Sequence, residues 1–279
     1  MKAQLDTEAV TGRGPEVGIG GVLVLGGTSE ARELAAGLVE RDVPVVSSLA
    51  GRVSRPRLPA GEVRIGGFGG PDGLSAWLVE REIAAVVDAT HPFAQRISAS
   101  AASACARAGV PLLRLERPGW SERPEDRWHW VDALDHAAEM IPRLGRRVFL
   151  TTGRQGLEAF AHVDEAWFLI RCVDPPEGPL LARHELLLDR GPYTLAGERE
   201  LIDRHEIEVL VTKDSGGEHT VAKLDAARER GLPVIVVRRP ERLAGVQTVA
   251  SVERALAWVA DALPRGAAAA SPSGAGVPR

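Results

Sequence analysis

Short apolar runs rich in Val, Ile and Leu alternate with amphipathic stretches of helical period along most of this chain. The first run is VLVL (Val22 to Leu25), and it is followed by a predicted helix from Ser29 to Arg41 and a second run, VPVVSS (Val43 to Ser48). A strand, a helix and a further strand in this order form a βαβ unit, in which the two strands lie parallel. The alternation therefore predicts an α/β fold in which parallel sheets are flanked by helices.

One polar interruption divides this alternation into two halves. The segment 116–130 (ERPGWSERPEDRWHW) contains Pro and Trp residues and breaks the rhythm, which is typical of a domain boundary. We predict two Rossmann-like domains with a ligand cleft between them, since ligands of such sheets bind at the carboxyl ends of the strands. A flexible N-terminal extension, an N-terminal domain, a C-terminal domain and a disordered tail are expected at residues 1–19, 20–130, 131–264 and 265–279 respectively.

The composition excludes several classes of protein. Hydrophobic residues make up 44% and charged residues 26% of the 279 residues, which excludes disordered and fibrous chains. The formal charge of -4 gives no general attraction to nucleic acid or to anionic lipid, so we expect neither partner. With only Cys105 and Cys172, and with no long apolar window, the chain is expected to be cytoplasmic and free of disulfides. No HExxH, CxxC or paired-histidine spacing offers a metal site, and the choice between monomer and homodimer stays open.

The first strand runs into a glycine turn, GGTSEAR (Gly26 to Arg32), which opens the first helix. Backbone N–H groups at such a helix start can approach a phosphate, and the helix dipole adds favourable charge. In comparison with GxGxxG, Gly26 and Ala31 match the first glycine and the last small residue, whereas Thr28 replaces the middle glycine. The turn indicates a nucleotide site, and the alternative is a purely conformational role for its glycines.

The second strand leads into an arginine-rich segment, SSLAGRVSRPR. Arg52, Arg55 and Arg57 lie about 25 residues after the glycine turn, where dinucleotide-binding folds carry the residue that contacts the adenosine ribose. An acidic residue at this place holds the 2′-hydroxyl of NAD, whereas Arg accommodates the 2′-phosphate of NADP. The segment contains no acidic residue, so a bound dinucleotide should be NADP; the alternative is a solvated arginine loop.

Polar residues also follow other predicted strands. The strand AAVVDA ends in DATHPFAQR, where His91 can donate a hydrogen bond or a proton, or can cap the following helix. In the second half, TTGRQ resembles another strand-to-helix turn, and KDSGGEHT follows the strand EVLVT. Lysine is rare in this chain, which makes Lys213 the best single candidate for a charge directed at substrate or cofactor. The alternative is an exposed loop lysine that pairs with Asp214.

Together these motifs resemble the precorrin-6A reductase family of cobalamin (vitamin B12) biosynthesis. The resemblance extends from about Val22 to Val237 and depends on the order of eight segments, GGTSEAR, SLAGR, DATHPFA, LLRLERPGW, TTGRQ, LIRCVDPP, VTKDSGG and PVIVVRRP. It implies two α/β domains with NADPH in the cleft between them, and no flavin or metal. The implied reaction is the NADPH-dependent reduction of one ring double bond of precorrin-6A, a tetrapyrrole, to give precorrin-6B. A cobalt-bearing substrate is the alternative.

The resemblance also implies a set of site residues. The cofactor residues are expected to be Gly26, Gly27, Thr28, Ser29 and Glu30 at the pyrophosphate, Ser48, Gly51 and Arg52 near the 2′-phosphate, and Thr90, His91 and Pro92 towards the nicotinamide. The substrate residues are expected to be Thr152, Arg154, Arg171, Asp214 and Ser215. Lys213 and His91 are the catalytic candidates.

The substrate's acetate and propionate carboxylates would need a local basic patch, which Arg96, Arg154 and Arg171 could supply. Two other functions stay open on the residues alone. An NADP-dependent dehydrogenase for a small alcohol is disfavoured, because no Ser-Tyr-Lys spacing occurs and Tyr193 is the only tyrosine. A module that binds NADP and senses its level would use the same turn and arginines.

Overall fold

The computed structural model describes residues 21–51 and 56–263, which form two lobes, each built on a six-stranded parallel sheet. The N-terminal lobe contains strands β1 (Val22–Leu25), β2 (Val45–Leu49), β3 (Glu62–Ile65), β4 (Ala85–Asp88), β5 (Leu112–Leu115) and β12 (Gln247–Val249), and helices α1 (Ser29–Val39), α2 (Gly70–Glu80), α3 (Gln95–Ala108) and α7 (Val252–Ala262). The C-terminal lobe contains strands β6 (Arg127–Val131), β7 (Arg147–Leu150), β8 (Trp167–Cys172), β9 (His184–Leu188), β10 (Val209–Lys213) and β11 (Pro233–Val237), helices α4 (Leu134–Leu144), α5 (Leu195–Arg204) and α6 (Ala222–Glu229), and two short 3-10 helices (Leu157–Phe160 and Glu218–Thr220).

Helices cover both faces of each sheet. In β1, Val22 and Val24 pack in one core cluster with α1 and α7, whereas Leu23 and Leu25 pack in another with α2 and α3. Because successive side chains of a strand point to opposite faces, a strand buried on both sides reads as a continuous apolar run. This is why β1 and β11 were visible in the sequence, and β1 has the predicted bounds.

The two sheets have the same strand order, but the edge strand beside β5 or β11 comes from a different part of the chain in each sheet. The orders are β12-β5-β4-β1-β2-β3 and β6-β11-β10-β7-β8-β9. In the C-terminal sheet this strand is β6, the first strand of the lobe, which pairs with β11. In the N-terminal sheet it is β12, which follows the C-terminal lobe in the chain and pairs with β5. The chain therefore passes between the lobes twice, in a first crossover (residues 116–126) and a second crossover (residues 238–246).

The placement of these edge strands differs from the predicted division at residue 130. Strand β6 lies partly within the predicted boundary segment, and β12 and α7 pack on the N-terminal lobe although the sequence places residues 131–264 in one domain. An apolar pattern signals a strand, but the edge that it joins depends on contacts distant in the chain. The pattern also missed β9, and the predicted strand-to-helix turn TTGRQ leads into the 3-10 helix Leu157–Phe160 rather than into an α-helix.

Candidate active site

The glycine turn lies at the point where the strand order of the N-terminal sheet reverses, between β1 and β4. Gly26 has φ 113°, and a Cβ at this residue would lie 2.8 Å from the carbonyl oxygen of Ala89. Thr28 caps α1: its hydroxyl accepts a hydrogen bond from Ala31 N at 3.1 Å and donates one to the Ala89 carbonyl at 2.9 Å. The turn is thus fastened beside the residues that follow β4. In open α/β sheets this crevice is where dinucleotides bind, and the missing Cβ of Gly26 lets the turn pack against the backbone of Ala89 and Thr90.

Ser29 and Glu30 form the first turn of α1. The Ser29 hydroxyl donates to Glu30 Oε2 at 3.2 Å, and Arg117 Nη1 donates to the same oxygen at 2.7 Å. Burial alone would raise the pKa of Glu30, but a hydrogen bond to its own backbone amide and the charge of Arg117 hold that pKa below its ordinary value. Glu30 is therefore ionised at neutral pH.

Of the predicted 2′-phosphate residues, Ser48 lies within β2 and Gly51 lies just after it. The Ser48 carbonyl accepts from Gly26 N at 3.0 Å, and Gly51 has φ 70° in the loop that follows. Arg52 lies outside the described residues, so its predicted role stays a prediction. Nearby, Arg32 donates to the Gly27 carbonyl at 2.7 Å.

Arginines from three segments surround this end of the cleft. Burial lowers the pKa of Arg32, and the positive charges of Arg57 and Arg190 lower it further, against the opposing effect of the Glu30 carboxylate. Arg57 follows β2 in the N-terminal lobe, whereas Arg190 follows β9 in the C-terminal lobe. Mutually repelling guanidinium groups of this kind are typical of an anion site, because a bound anion relieves the repulsion.

Buried polar contacts fix the residues that follow β4. Thr90 donates to Asp88 Oδ1 from both its backbone nitrogen, at 3.0 Å, and its hydroxyl, at 2.7 Å. Arg114 Nη1 donates to Asp88 Oδ2 at 2.6 Å, to the Thr90 hydroxyl at 2.9 Å and to the Ser98 hydroxyl at 2.9 Å. The Thr90 hydroxyl therefore belongs to the protein's own network, and its backbone is held at the cleft.

His91 is a neutral hydrogen-bonding residue in this structure. Its Nδ1 accepts a hydrogen bond from Phe93 N at 3.3 Å, which places the ring proton on Nε2. Burial lowers the pKa of His91 to about 3, and the positive charges of Arg117 and Lys213 add to this effect. At neutral pH the imidazole can donate a hydrogen bond but carries no additional proton to release as an acid. Pro92, the next residue, is buried.

Lys213 lies where the two lobes meet. It ends β10, and its Nζ donates to the Thr152 carbonyl at 3.1 Å and lies 5.6 Å from the ring centroid of Phe93. Phe93 belongs to the N-terminal lobe but packs against the core of the C-terminal lobe. Burial lowers the pKa of Lys213 from its ordinary value. The Thr152 hydroxyl is buried and has no hydrogen-bond partner among the described residues.

Asp214 and Ser215 hold the first crossover. Asp214 Oδ1 accepts from Trp120 N at 3.0 Å, and Asp214 Oδ2 lies 3.2 Å from Arg239 Nε. The Ser215 carbonyl accepts from Arg117 Nε at 2.6 Å. The buried Asp214 carboxylate is thus engaged by the protein's own groups, which differs from its predicted role as a substrate ligand. Of these two predicted substrate ligands, only Ser215 remains a candidate for that role, through its hydroxyl, which lies 3.3 Å from the hydroxyl of Thr220.

Arg171 does not join Arg154 and Arg96 in the predicted basic patch. It is 5% exposed, its Nη1 pairs with Glu198 Oε1 at 2.6 Å, and it lies under α5. Its neighbour Cys172, whose thiol pKa is raised by burial and lowered in part by Arg154, points to the opposite face of the sheet. Arg171 and Arg154 are therefore on different faces, which corrects the prediction. Arg96 is exposed on α3.

Sequence reasoning missed the charged residues that connect the crossovers. Arg239 donates to the carbonyl oxygens of Arg117 and Pro118, at 2.7 and 3.0 Å, and Arg242 pairs with Glu116 at 3.0 Å. Their partners are distant in the sequence, so no local pattern could have revealed these bonds. Among the described residues, no cluster of His, Cys, Asp and Glu could hold a metal ion, and no helix has the length and apolar character needed to cross a membrane.

Residues 21–260 match the protein family described as Precorrin-6x reductase CbiJ/CobK. This chain belongs to that family. The precorrin-6A reductase of Rhodococcus erythropolis is 54% identical to it over 241 residues, covering 85% of this chain and 96% of the relative. The precorrin-6A reductase of Rhodobacter capsulatus is 43% identical over 248 residues, covering 88% and 98%. The cobalt-precorrin-6A reductase of Salmonella typhimurium is 31% identical over 243 residues, covering 80% and 89%.

A solved reductase structure has the same fold. The structure described as CobK precorrin-6A reductase superposes with a TM-score of 0.83 at 43% identity, covering 89% of this chain and all of that chain. The predicted membership of this reductase family and the predicted α/β fold with two parallel sheets are confirmed.

Proposed function

We propose that this chain catalyses the NADPH-dependent reduction of one ring double bond of precorrin-6A, giving precorrin-6B in cobalamin biosynthesis. The observation that carries the proposal is the match of both lobes to relatives named precorrin-6A reductase, which reach 54% identity. The double bond gains a hydride and a proton. The two lobes supply different parts of the site for this reaction.

The N-terminal lobe fits the cofactor. Gly26 to Glu30 would hold the pyrophosphate, because the turn opens a capped helix start at the crevice between β1 and β4. Ser48, Gly51 and Arg52 would lie at the 2′-phosphate, and the repulsion between Arg32 and Arg57 supports a phosphate there. NADPH supplies the hydride when it is bound.

Residues on both sides of the cleft would orient the reacting groups. Thr90, His91 and Pro92 would face the nicotinamide. The contacts with Asp88 and Arg114 support an orienting role, because they hold this segment rigid. A neutral His91 would donate a hydrogen bond from Nε2 rather than a proton. Lys213 would hold a proton at Nζ beside the substrate, and its lowered pKa makes release of that proton easier.

Thr152, Arg154 and Ser215 would contact the tetrapyrrole from the C-terminal lobe. The unpartnered Thr152 hydroxyl supports this, because a buried hydroxyl gains from a hydrogen bond to a ligand. Relatives named precorrin-6A reductase reach 43 to 54% identity, whereas the relative named cobalt-precorrin-6A reductase from Salmonella typhimurium has 31%. This difference favours the metal-free substrate.

The test is a comparison of two tetrapyrroles with the purified protein. We expect NADPH oxidation, followed at 340 nm, to be fast with precorrin-6A, slower with cobalt-precorrin-6A and absent without a tetrapyrrole. Oxidation that prefers the cobalt compound would reverse the substrate assignment. NADPH binding without any turnover would instead support the sensing module.

A further inference from the structure

Arg117 joins the cofactor side of the cleft to the substrate side. It lies in the first crossover, where its Nη1 donates to Glu30 Oε2 at 2.7 Å and its Nε donates to the Ser215 carbonyl at 2.6 Å. Glu30 belongs to the glycine turn of the N-terminal lobe, and Ser215 belongs to the loop that follows Lys213 in the C-terminal lobe. Arg239 donates to the Arg117 carbonyl at 2.7 Å, so the backbone of Arg117 is held as well as its side chain.

Glu30 occupies an unusual place for a carboxylate near a phosphate site. It is the second residue of α1, where the helix start would receive the cofactor's phosphates, and it is ionised at neutral pH. An uncompensated carboxylate there would repel a bound phosphate. The ion pair with Arg117 is largely shielded from solvent, with side chains 16% and 22% exposed, so the compensation is stronger than at an open surface.

The other bond of Arg117 reaches the loop that follows Lys213, the proposed proton donor. The Ser215 carbonyl lies two residues after Lys213, and the same loop is held by Arg239, whose Nε donates to the Asp214 carbonyl at 3.0 Å. A planar guanidinium can make both the Glu30 and the Ser215 contacts at once, whereas the single ammonium of a lysine cannot reproduce both directions. The two contacts therefore depend on arginine at this position.

We propose that Arg117 is a positioning residue that neutralises Glu30, so that the glycine turn accepts the cofactor, and that fixes the Ser215 carbonyl, so that Lys213 keeps its place. This inference rests on the proposed function. It divides the role of one side chain into an effect on nucleotide affinity, through Glu30, and an effect on turnover, through Ser215.

Four variants separate these two effects: Arg117→Ala, Arg117→Lys, the double variant Glu30→Gln/Arg117→Ala, and Arg242→Ala as control. Arg242 pairs at 3.0 Å with Glu116, a residue of the first crossover that lies outside the glycine turn. Nucleotide affinity is measured by calorimetry without tetrapyrrole, turnover by NADPH oxidation with precorrin-6A, and folding by thermal melting.

We expect Arg117→Ala to weaken NADPH and NADH by the same factor, about tenfold, because the effect acts at the phosphates that both nucleotides share. The double variant should regain affinity to within about threefold of the wild type, since the uncompensated carboxylate is gone, while its kcat stays low. Arg117→Lys should keep most of the affinity but lose turnover. Arg242→Ala should change neither quantity.

Several outcomes would overturn the inference. Unchanged affinity in Arg117→Ala, or equal weakening in the single and double variants, would refute the neutralisation of Glu30. A kcat of Arg117→Lys equal to that of the wild type would refute the role at Ser215, and this variant decides the matter if Arg117→Ala does not fold. Failure of the wild-type protein to bind NADPH would refute the proposed function itself, and is recognised before any variant is made.

Discussion

The two lobes have the same strand order but differ in the segments that leave their central strands. After β1, the glycine turn leads at once into α1, whose first turn is capped by the Thr28 hydroxyl. After β7, the segment TTGRQ leads only to the 3-10 helix Leu157–Phe160, which begins after Gly156 without a side-chain cap. At this position the N-terminal lobe thus presents the start of a long α-helix, whose peptide dipoles are aligned, to the cleft. The C-terminal lobe presents the start of a short 3-10 helix.

The lobes also differ in how they bury charge. In the N-terminal lobe, Asp88 and Arg114 neutralise each other and satisfy neighbouring hydroxyls. In the C-terminal lobe, Arg171, Glu198 and Lys223 are buried together, and Arg171 Nη2 and Glu198 Oε2 have no hydrogen-bond partner among the described residues. The N-terminal lobe thus satisfies its buried charges within one network, whereas the C-terminal lobe leaves polar atoms of its buried charges without partners among the described residues.

The largest effect on activity is expected for Lys213. If Lys213 acted on the cofactor rather than on the substrate, the two lobes would not differ in function as proposed. We expect Lys213→Ala to lower kcat by about 100-fold, because a proton donor and a positive charge are removed from the cleft, while NADPH affinity falls much less. Steady-state kinetics and calorimetry measure the two quantities. Lys213→Arg is the matched control: it should recover activity only if positive charge, rather than proton release, is what the reaction needs.

The pH profile gives the same residue a second test. Because burial lowers the pKa of Lys213, the protonated form is lost at lower pH than for an ordinary lysine. If Nζ donates the proton, turnover should fall as pH rises through this lowered pKa. A profile that stays flat up to the ordinary lysine range would remove Lys213 from proton donation.

The next effect compares one glycine in each lobe. Gly26→Ala should weaken NADPH by about tenfold or more, because the added Cβ meets the Ala89 carbonyl and φ 113° is strained for alanine. Gly153 has φ 81° but nothing within 4 Å of an added Cβ, so Gly153→Ala should cost about 1 to 2 kcal/mol of stability and leave nucleotide affinity unchanged. Equal loss of affinity in both variants would mean that the turns do not differ in function.

Arg52 sharpens the cofactor side of the comparison. We expect Arg52→Ala to weaken NADPH binding by about tenfold and NADH binding hardly at all, because NADH lacks the 2′-phosphate that the Arg52 guanidinium would contact. This pattern differs from that of Arg117, whose loss should affect both nucleotides alike. An equal loss for both nucleotides in Arg52→Ala would place Arg52 away from the 2′-phosphate.

The local parts of this structure could be predicted from the sequence, and the long-range parts could not. The strands β1 and β11 were visible because burial on both faces leaves an uninterrupted apolar run. The edge positions of β6 and β12 could not be predicted, because each depends on a partner strand distant in the chain. The same limit applies to the site: the glycine turn and Lys213 have local signals, whereas the bond from Arg117 to Glu30 joins residues 87 positions apart.

Arg171 illustrates the remaining limit. Strand alternation places Arg171 and Cys172 on opposite faces, but it does not say which face turns towards the cleft. The pattern LIRCVDPP therefore suggested a ligand, and the structure instead buries Arg171 against Glu198, with its guanidinium carbon 3.7 Å from the ring centroid of Tyr193.

The smallest effect on activity is expected for Lys223, which tests the buried charges of the C-terminal lobe. Lys223 is 4% exposed, its Nζ lies 4.9 Å from the ring centroid of Trp120, and burial and the charge of Arg171 lower its pKa from 10.5 to about 7, against the opposing effect of Glu198. Between pH 7 and 10.5 the unfolded chain binds more protons at this residue than the folded chain, so stability should rise with pH by up to about 1.4 kcal/mol per unit.

Lys223→Met should remove this contribution and keep the side chain's volume. Because the folded protein disfavours the ammonium, the variant should gain most stability relative to the wild type at pH 6. This difference should fall by up to about 1.4 kcal/mol per unit as pH rises above 7. Thermal melting of both proteins across this range measures the difference. Parallel pH profiles would show that Lys223 titrates normally, and a variant less stable at every pH would show that its ammonium stabilises Glu198 by more than its burial costs.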